Sequence, residues 1–404
     1  MLPSFYQSVL EKYLNQKQCL QAQLLILMLQ SFRQVKLSTL ASVFAQPIKY
    51  ESRVRNLQRF LDLENWNVKL LWFPIVKFCL QQEYEEYKPN REQRRKTKKL
   101  TKGKSKYILL ALDRTQWKET NVMFVSAIWG KYAIPIYWED LEKKGSSDLS
   151  QQQAVLQPVL ELMKSIPMIV IGDREFHSAK LGIWLNEQGV DFILRQKKSN
   201  CIQQFNCEFK ALKEMGFQPG DAQFLRNINC NKKQALGSFN LAVRWKRQYR
   251  GKKHKDCWYL LTSLPELNQT LNFYKARWGI ESMFKHCKTG GYNLELTRVK
   301  PTRLLAIILL IAFSYTLSTL DGYSIQHSPV SAYSTRVHKQ PHLLPHHSDF
   351  VIALFAHAWV NAMTLWSELA LALMSLKPHK RLYFQRGLEA LSSIEQTLEP
   401  CCHP

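Results

Sequence analysis

Two acids in this sequence stand where strand ends would place them. Asp113 follows the apolar run Leu109-Leu110-Ala111-Leu112, and Asp173 follows Ile169-Val170-Ile171-Gly172. Neighbouring strand ends in one sheet can bring two carboxylates together. Like-charged carboxylates held close need a cation between them, and hard divalent ions take oxygen ligands. Taken singly, either acid could equally cap the turn after its strand.

A third acid sits in a spaced polar set. In Tyr274-Lys-Ala-Arg277-Trp-Gly-Ile-Glu281-Ser-Met-Phe-Lys-His-Cys-Lys288, Arg277, Glu281 and Lys288 lie 3, 7 and 14 residues after the tyrosine. At about 100° per residue, all would fall within roughly 60° of Tyr274 on a helix, along about 21 Å of it. Such a face offers a hydroxyl, a guanidinium, a carboxylate and an ammonium. Glu281 could complete a metal site while its neighbours bind phosphates on either side. The plainer alternative is a solvated face with an i, i+4 ion pair between Arg277 and Glu281.

The surrounding elements follow from periodicity. Residues 1–90 read as helical, with two short helices over Leu37–Ala45 and Glu51–Leu61 separated by Gln46-Pro47-Ile48. The second carries Arg53, Arg55, Asn56 and Arg59, which fits either a helix-turn-helix reader or a plain bundle with a basic face. Residues 91–106 form a linker with nine Lys/Arg against one acid, including Arg94, Arg95, Lys98 and Lys99, suited to lying on phosphates. From Tyr107 onward the order is three strands, helix, strand, helix, strand, with Gly130-Lys131 marking a hairpin, which predicts a mixed sheet covered by helices. Residues 200–256 read as a β-rich insertion. It includes a second basic cluster from Arg244 to Lys255, interleaved with Trp245 and Tyr249, where aromatics could stack on bases. After the strand Trp258–Thr262, the spacing predicts one helix from about Asn268 to Lys288, an apolar helix over 303–320, a Ser/Pro/His-rich loop over 321–348 and further helix over 349–375.

Composition narrows the partners. A formal charge of +24 suits a polyanion, because lysine and arginine displace the counterions condensed on phosphate. The longest apolar run, Leu304–Phe313, is followed by Ser314 and Tyr315. It falls short of the roughly twenty residues a spanning helix needs, so a core helix and no membrane partner are expected. No secretory signal follows Met1. Nine cysteines without paired CxxC spacing point away from zinc and toward a reducing cytoplasm. His342, His346 and His347 make a weak metal candidate.

Tyr-x2-Arg-x3-Glu-x6-Lys resembles the signature of DDE transposases of insertion sequence family four, and this chain matches it at every position. Asp173-Arg174-Glu175-Phe176 resembles the family's second acid motif, Ala133-Ile134-Pro135-Ile136-Tyr137-Trp138 its hairpin, and Asp113 in Ala-Leu-Asp-Arg-Thr its first acid. The likeness runs from about 30 to 300.

The resemblance implies an α/β fold: a ribonuclease H-like mixed sheet with a β insertion, plus helical N-terminal DNA-binding and C-terminal regions. Its parts would be a DNA-binding domain over 1–90, the linker over 91–106, a catalytic domain over 107–199 and 257–300 around the 200–256 insertion, and a C-terminal region over 301–404. Asp113, Asp173 and Glu281 would hold two Mg²⁺ ions, with Mn²⁺ a possible substitute. Tyr274, Arg277 and Lys288 would contact the element's end, and Trp245 or Trp258 could hold a displaced base. The expected partners are the double-stranded terminal inverted repeats and target DNA, bound by a homodimer. The expected setting is the bacterial cytoplasm, at the nucleoid. A nuclease without strand transfer would share the acids but has little use for Tyr274 and Lys288. A non-catalytic DNA-binding descendant would have lost an acid, and all three are present.

Overall fold

A computed structural model of the chain describes residues 2–86, 107–204, 207–230, 232, 236–247, 256–336 and 347–398. The linker cations Arg94, Arg95, Lys98 and Lys99, the stretch 248–255 with Tyr249, and His342 and His346 lie outside the described residues. The chain divides into two compact units, one of Val76–Phe284 and one of Met1–Ile75 with Lys285–Pro404.

In the first unit, a meander comes first: β1 (Ile108–Trp117), β2 (Thr120–Trp129) and β3 (Tyr132–Asp140). Gly130, at φ +57°, supplies the left-handed residue that the β2–β3 turn needs. Helix α1 (Leu149–Leu162) then starts on Asp148, whose side chain and Gln151 cap each other's backbone N–H groups. It leads to β4 (Met168–Gly172), α2 (Ala179–Glu187) and β5 (Asp191–Arg195). Strand β4 runs parallel to both β1 and β5. All three carry continuous apolar runs because helical crossovers bury both faces of a parallel sheet.

Strands β6 (Cys201–Gln204), β7 (Lys210–Ala211), β8 (Ala222–Cys230) and β9 (Leu236–Arg244) come from the 200–256 segment. They do not form a sheet of their own. β10 (Trp258–Thr262) pairs with β5 on one side and β9 on the other, so the described strands make one sheet in the order β3-β2-β1-β4-β5-β10-β9-β8-β6-β7.

Where one helix was expected from Asn268 to Lys288 there are two, α3 (Leu267–Ala276) and α4 (Trp278–Cys287). Around the break, the Arg277 N–H donates to Tyr274 O (3.2 Å) and the Ile280 N–H to Arg277 O (3.0 Å), three-residue spacings that tighten the turn. Leu271 and Tyr274 of α3 pack with Leu109, Ile169, Ile171, Ile193 and Leu260 of the sheet.

The second unit is helical. Its centre is the helix Pro301–Gln326, longer than the expected 303–320. Ser314 and Tyr315, which interrupt the apolar run, lie inside the helix: the Ser314 and Tyr292 hydroxyls are 2.7 Å apart, and the Thr319 hydroxyl donates back to Tyr315 O at 2.7 Å. Residues 321–326, expected as loop, continue the helix through Gly322, where a Cβ would lie 1.8 Å from the Asp349 carbonyl oxygen. Only glycine permits that approach.

At 26 residues this helix is long and apolar enough to cross a membrane, contrary to the reading of its apolar run, but 89% of its most apolar window is buried within the chain. Tyr6, Trp66 and Trp72 pack around its Phe313, and the Trp66 indole N–H donates to Ala306 O at 3.0 Å. Asp349–Leu365 and Ser367–Ser375 meet at 83°, and Arg381–Leu398 follows.

Candidate active site

Strand register sets the site. Leu112 of β1 pairs with Gly172 of β4, and Gly172 with Leu194 of β5. The residues that follow these three, Asp113, Asp173 and Arg195, therefore stand at one level on three adjacent parallel strands. The acids were found from sequence. Arg195 was not, although it ends its apolar strand as they do; a search for carboxylates alone passes over it.

Asp113 is nearly buried, with its side chain 15% exposed. Its Oδ1 accepts the Arg114 backbone N–H (2.8 Å) and its Oδ2 accepts Arg277 Nη1 (2.9 Å). Burial pushes its carboxyl up to about 6; the Arg277 charge opposes the rise, and the negative charges of Asp173 and Glu281 add to it. Asp173 caps the single turn Arg174–Phe176, its Oδ1 accepting the Glu175 N–H at 2.8 Å.

Arg277 lies at the bend between α3 and α4. Besides Asp113 it pairs with Glu281 one turn on, so a single guanidinium bridges two of the three acids. The i, i+4 pair anticipated from sequence is present, with the first acid added to it. The expected partners of Arg277 were flanking phosphates; in the ligand-free protein its partners are the carboxylates.

Tyr274 is 4% exposed, and its ring meets Trp258 edge-on at 5.0 Å. Burial raises its hydroxyl above the usual phenol range, against the nearby charges of Arg277 and Arg195. Tyr274 thus joins the site from the core side of α3. Lys288 follows the last residue of α4, belongs to the other unit and pairs with Glu295 at 3.6 Å. The break at Arg277 and the end of α4 at Cys287 mean that the four signature residues do not share one straight helix face.

The remaining nucleic-acid candidates divide by exposure. On Tyr50–Leu61, Arg55 and Arg59 are exposed, whereas Arg53 donates to Ser42 O (3.2 Å) and Asn56 to Gln46 Oε1 (2.9 Å). The latter two hold the segment that precedes their helix. Trp245 is half-buried, and its indole N–H has no hydrogen-bond partner among the described residues.

The donors fit a hard divalent cation in kind: three carboxylates, with the charges of Asp173 and Glu281 adding to the burial that raises Asp113. Among the described residues, no three acids, histidines or cysteines are already gathered as a metal cage. Arg277 supplies the positive charge between Asp113 and Glu281.

Residues 135–317 match the family model described as "Transposase DDE domain". The matched stretch holds Asp173, Arg195, Tyr274, Arg277 and Glu281, and the match supports a transposase of the DDE class. No curated protein matches the chain. Among solved structures, the cryo-EM piggyBac transposase synaptic complex with hairpin DNA is similar at 14% identity and a TM-score of 0.42, over 97% of this chain and 81% of that one. That likeness is too distant to carry an argument about function.

Proposed function

We propose that this chain is a DDE transposase of insertion sequence family four. In this reading it binds the terminal inverted repeats of its element, cleaves DNA there and joins the ends to target DNA. The observation that carries the reading is the meeting of Asp113 and Glu281 on the Arg277 guanidinium, with Asp173 level with Asp113 on the neighbouring parallel strand. The β3-β2-β1-β4-β5 half of the sheet, a meander joined to two parallel strands, supports a ribonuclease H-like catalytic domain.

Asp113, Asp173 and Glu281 would hold two Mg²⁺ ions, or Mn²⁺ in their place, which would supply activation of the attacking oxygen and stabilisation of the leaving one. The chain's own residues do the rest. Asp113 would offer its carboxylate to those ions. Arg277, released from Asp113 and Glu281, turns its planar fork to a phosphate beside the scissile bond, where a bidentate contact fixes the strand. Tyr274, held by Trp258 and the core, fixes the start of that bend. Lys288 offers a point charge to the element's end. Arg55 and Arg59 contact terminal-repeat DNA from the N-terminal helices, and the basic linker and Trp245 add further contacts.

A homodimer acting on DNA in the bacterial cytoplasm completes the reading. Its support is a run of exposed apolar side chains, Leu365, Trp366, Leu369, Leu371, Leu373 and Leu376.

The test is incubation of the purified chain with the inverted repeats flanking its coding sequence and Mg²⁺, scored for cleavage and for joining. Asp113→Ala, Asp173→Ala and Glu281→Ala are each expected to abolish both reactions while DNA binding survives. Cleavage without joining would favour a nuclease, and wild-type cleavage by any one variant would remove that acid from the site.

A further inference from the structure

Next to each acid stands a residue of opposite charge to its counterpart, and the two are joined. Arg114 follows Asp113; Glu175 lies two residues after Asp173. The Glu175 carboxylate accepts Arg114 Nε on both oxygens, at 3.0 and 2.9 Å. Its Oε1 also accepts the Ser147 backbone N–H (3.0 Å) and hydroxyl (2.8 Å). Arg114 Nη1 donates to Asn121 Oδ1 at 2.8 Å, and Asn121 Nδ2 donates to the carbonyls of Lys143 (2.9 Å) and Gly145 (3.0 Å). The pair is 22% and 14% exposed, and three donors make four contacts with the Glu175 carboxylate, three of them on Oε1.

The same two residues also hold the acids through their main chain. The Arg114 N–H donates to Asp113 Oδ1, and the Glu175 N–H to Asp173 Oδ1, each at 2.8 Å. One oxygen of each carboxylate is thereby fixed by a residue whose side chain is locked to the other's. The spacing of the acids is set twice, by the β1–β4 register and by this cross-link just past the last β1–β4 pair, Leu112 with Gly172.

We propose that the Arg114–Glu175 pair is a positioning brace, which holds Asp113 and Asp173 at the separation and rotation that a shared divalent cation requires. The proposal rests on the metal-dependent reading above. Arg114 and Glu175 are positioning residues and touch no reacting atom. Partners that orient ligating groups from behind typically change metal affinity by about 10- to 100-fold when removed.

The experiment is Mn²⁺ titration calorimetry on the full chain without DNA, beside thermal melting. Wild type is compared with Asp113→Asn, Glu175→Gln, Arg114→Lys and the apolar double variant Arg114→Met/Glu175→Leu. Glu175→Gln is expected to weaken Mn²⁺ binding about 10- to 100-fold in a protein that still melts cooperatively. Arg114→Lys, which keeps the charge without the fork, should fall between it and wild type. If Glu175→Gln fails to fold, the double variant, which leaves no unpaired charge, is expected to fold and still bind Mn²⁺ weakly. Asp113-dependent binding at wild-type affinity in folded Glu175→Gln or the double variant overturns the brace and leaves the metal reading standing. Binding indifferent to Asp113→Asn overturns the metal reading, and the brace with it.

Discussion

Asp113 is asked to be buried, anionic and close to two other acids, and its proton affinity records the conflict. With its carboxyl raised to about 6, the metal-free fold binds a proton that the unfolded chain, with an ordinary carboxylate, releases near pH 4. The stability this contributes is present below about pH 4 and lost as pH rises through about 6. Asparagine at the same place carries no such dependence. In EDTA, Asp113→Asn should therefore gain stability relative to wild type between pH 4 and pH 7, read from urea unfolding; a constant difference across that range would sink the argument. Mn²⁺ affinity should run the opposite way, falling below about pH 6 where the proton competes.

Arg277 offsets part of the same conflict. Removing one member of a mostly buried ion-pair cluster leaves the others uncompensated, at a cost of about 3 kcal/mol. Arg277→Ala should melt early in EDTA and recover a larger share of its stability with Mg²⁺ than wild type does. Equal Mg²⁺-induced shifts in both proteins would show that the guanidinium does not share the cation's place.

At the level of elements, α4 is seated by a close approach. A Cβ on Gly279 would lie 2.8 Å from both the carbonyl carbon and oxygen of Tyr132, at the start of β3. Main chain cannot step aside as a flexible side chain can, so Gly279→Ala must push α4 off the sheet, at about 1–3 kcal/mol. Glu281 is two residues further on. The expected outcome is a folded, DNA-binding protein with greatly reduced cleavage; unchanged cleavage would mean that the helix has slack.

Local chemistry in the sequence was enough to place Asp173 after β4, the Gly130 hairpin and the α1 and α2 crossovers, because apolar runs and turn residues report their own surroundings; Asp113, expected to end its strand, lies inside β1, which runs on to Trp117 in pairing with β2. Three features were not legible. Arg195 joins the acids only through β4–β5 register, a pairing between segments about twenty residues apart. Arg277, at the break, is tied to Asp113, 164 residues away, a contact that no local pattern reports. The continuity of β9 with β10 joins the β-rich insertion to the sheet that carries the acids, a pairing its irregular Gly-punctuated pattern does not report.

Across the whole molecule, unpaired surface is concentrated near the C-terminus. The helix Ser367–Ser375, Ser-Glu-Leu-Ala-Leu-Ala-Leu-Met-Ser, has no buried residue although four of its nine side chains are leucine or methionine. Leu369 and Leu373 are 67% and 66% exposed and stand one turn apart. Monomers rarely leave so contiguous an apolar patch in water, whereas a stable two-fold interface takes about 800 Å² from each partner. Leu369→Asp/Leu373→Asp should shift the DNA-bound protein from dimer to monomer in sedimentation velocity and reduce joining of paired ends more than nicking of a single end. A variant that remains dimeric would move the interface elsewhere.

The sheet's two outer strands bear on what this chain can stick to. A sheet of this width ends in rows of unpaired amides, which can recruit another copy edge to edge without limit. At one end β7 is two residues long and carries Lys210, too short and too charged to template a partner. At the other, β3 has Pro135 beside an irregularity in its pairing with β2, so that its rim lacks one donor and bends out of line. Both borders are blunted, and open-ended fibre growth through the backbone is discouraged.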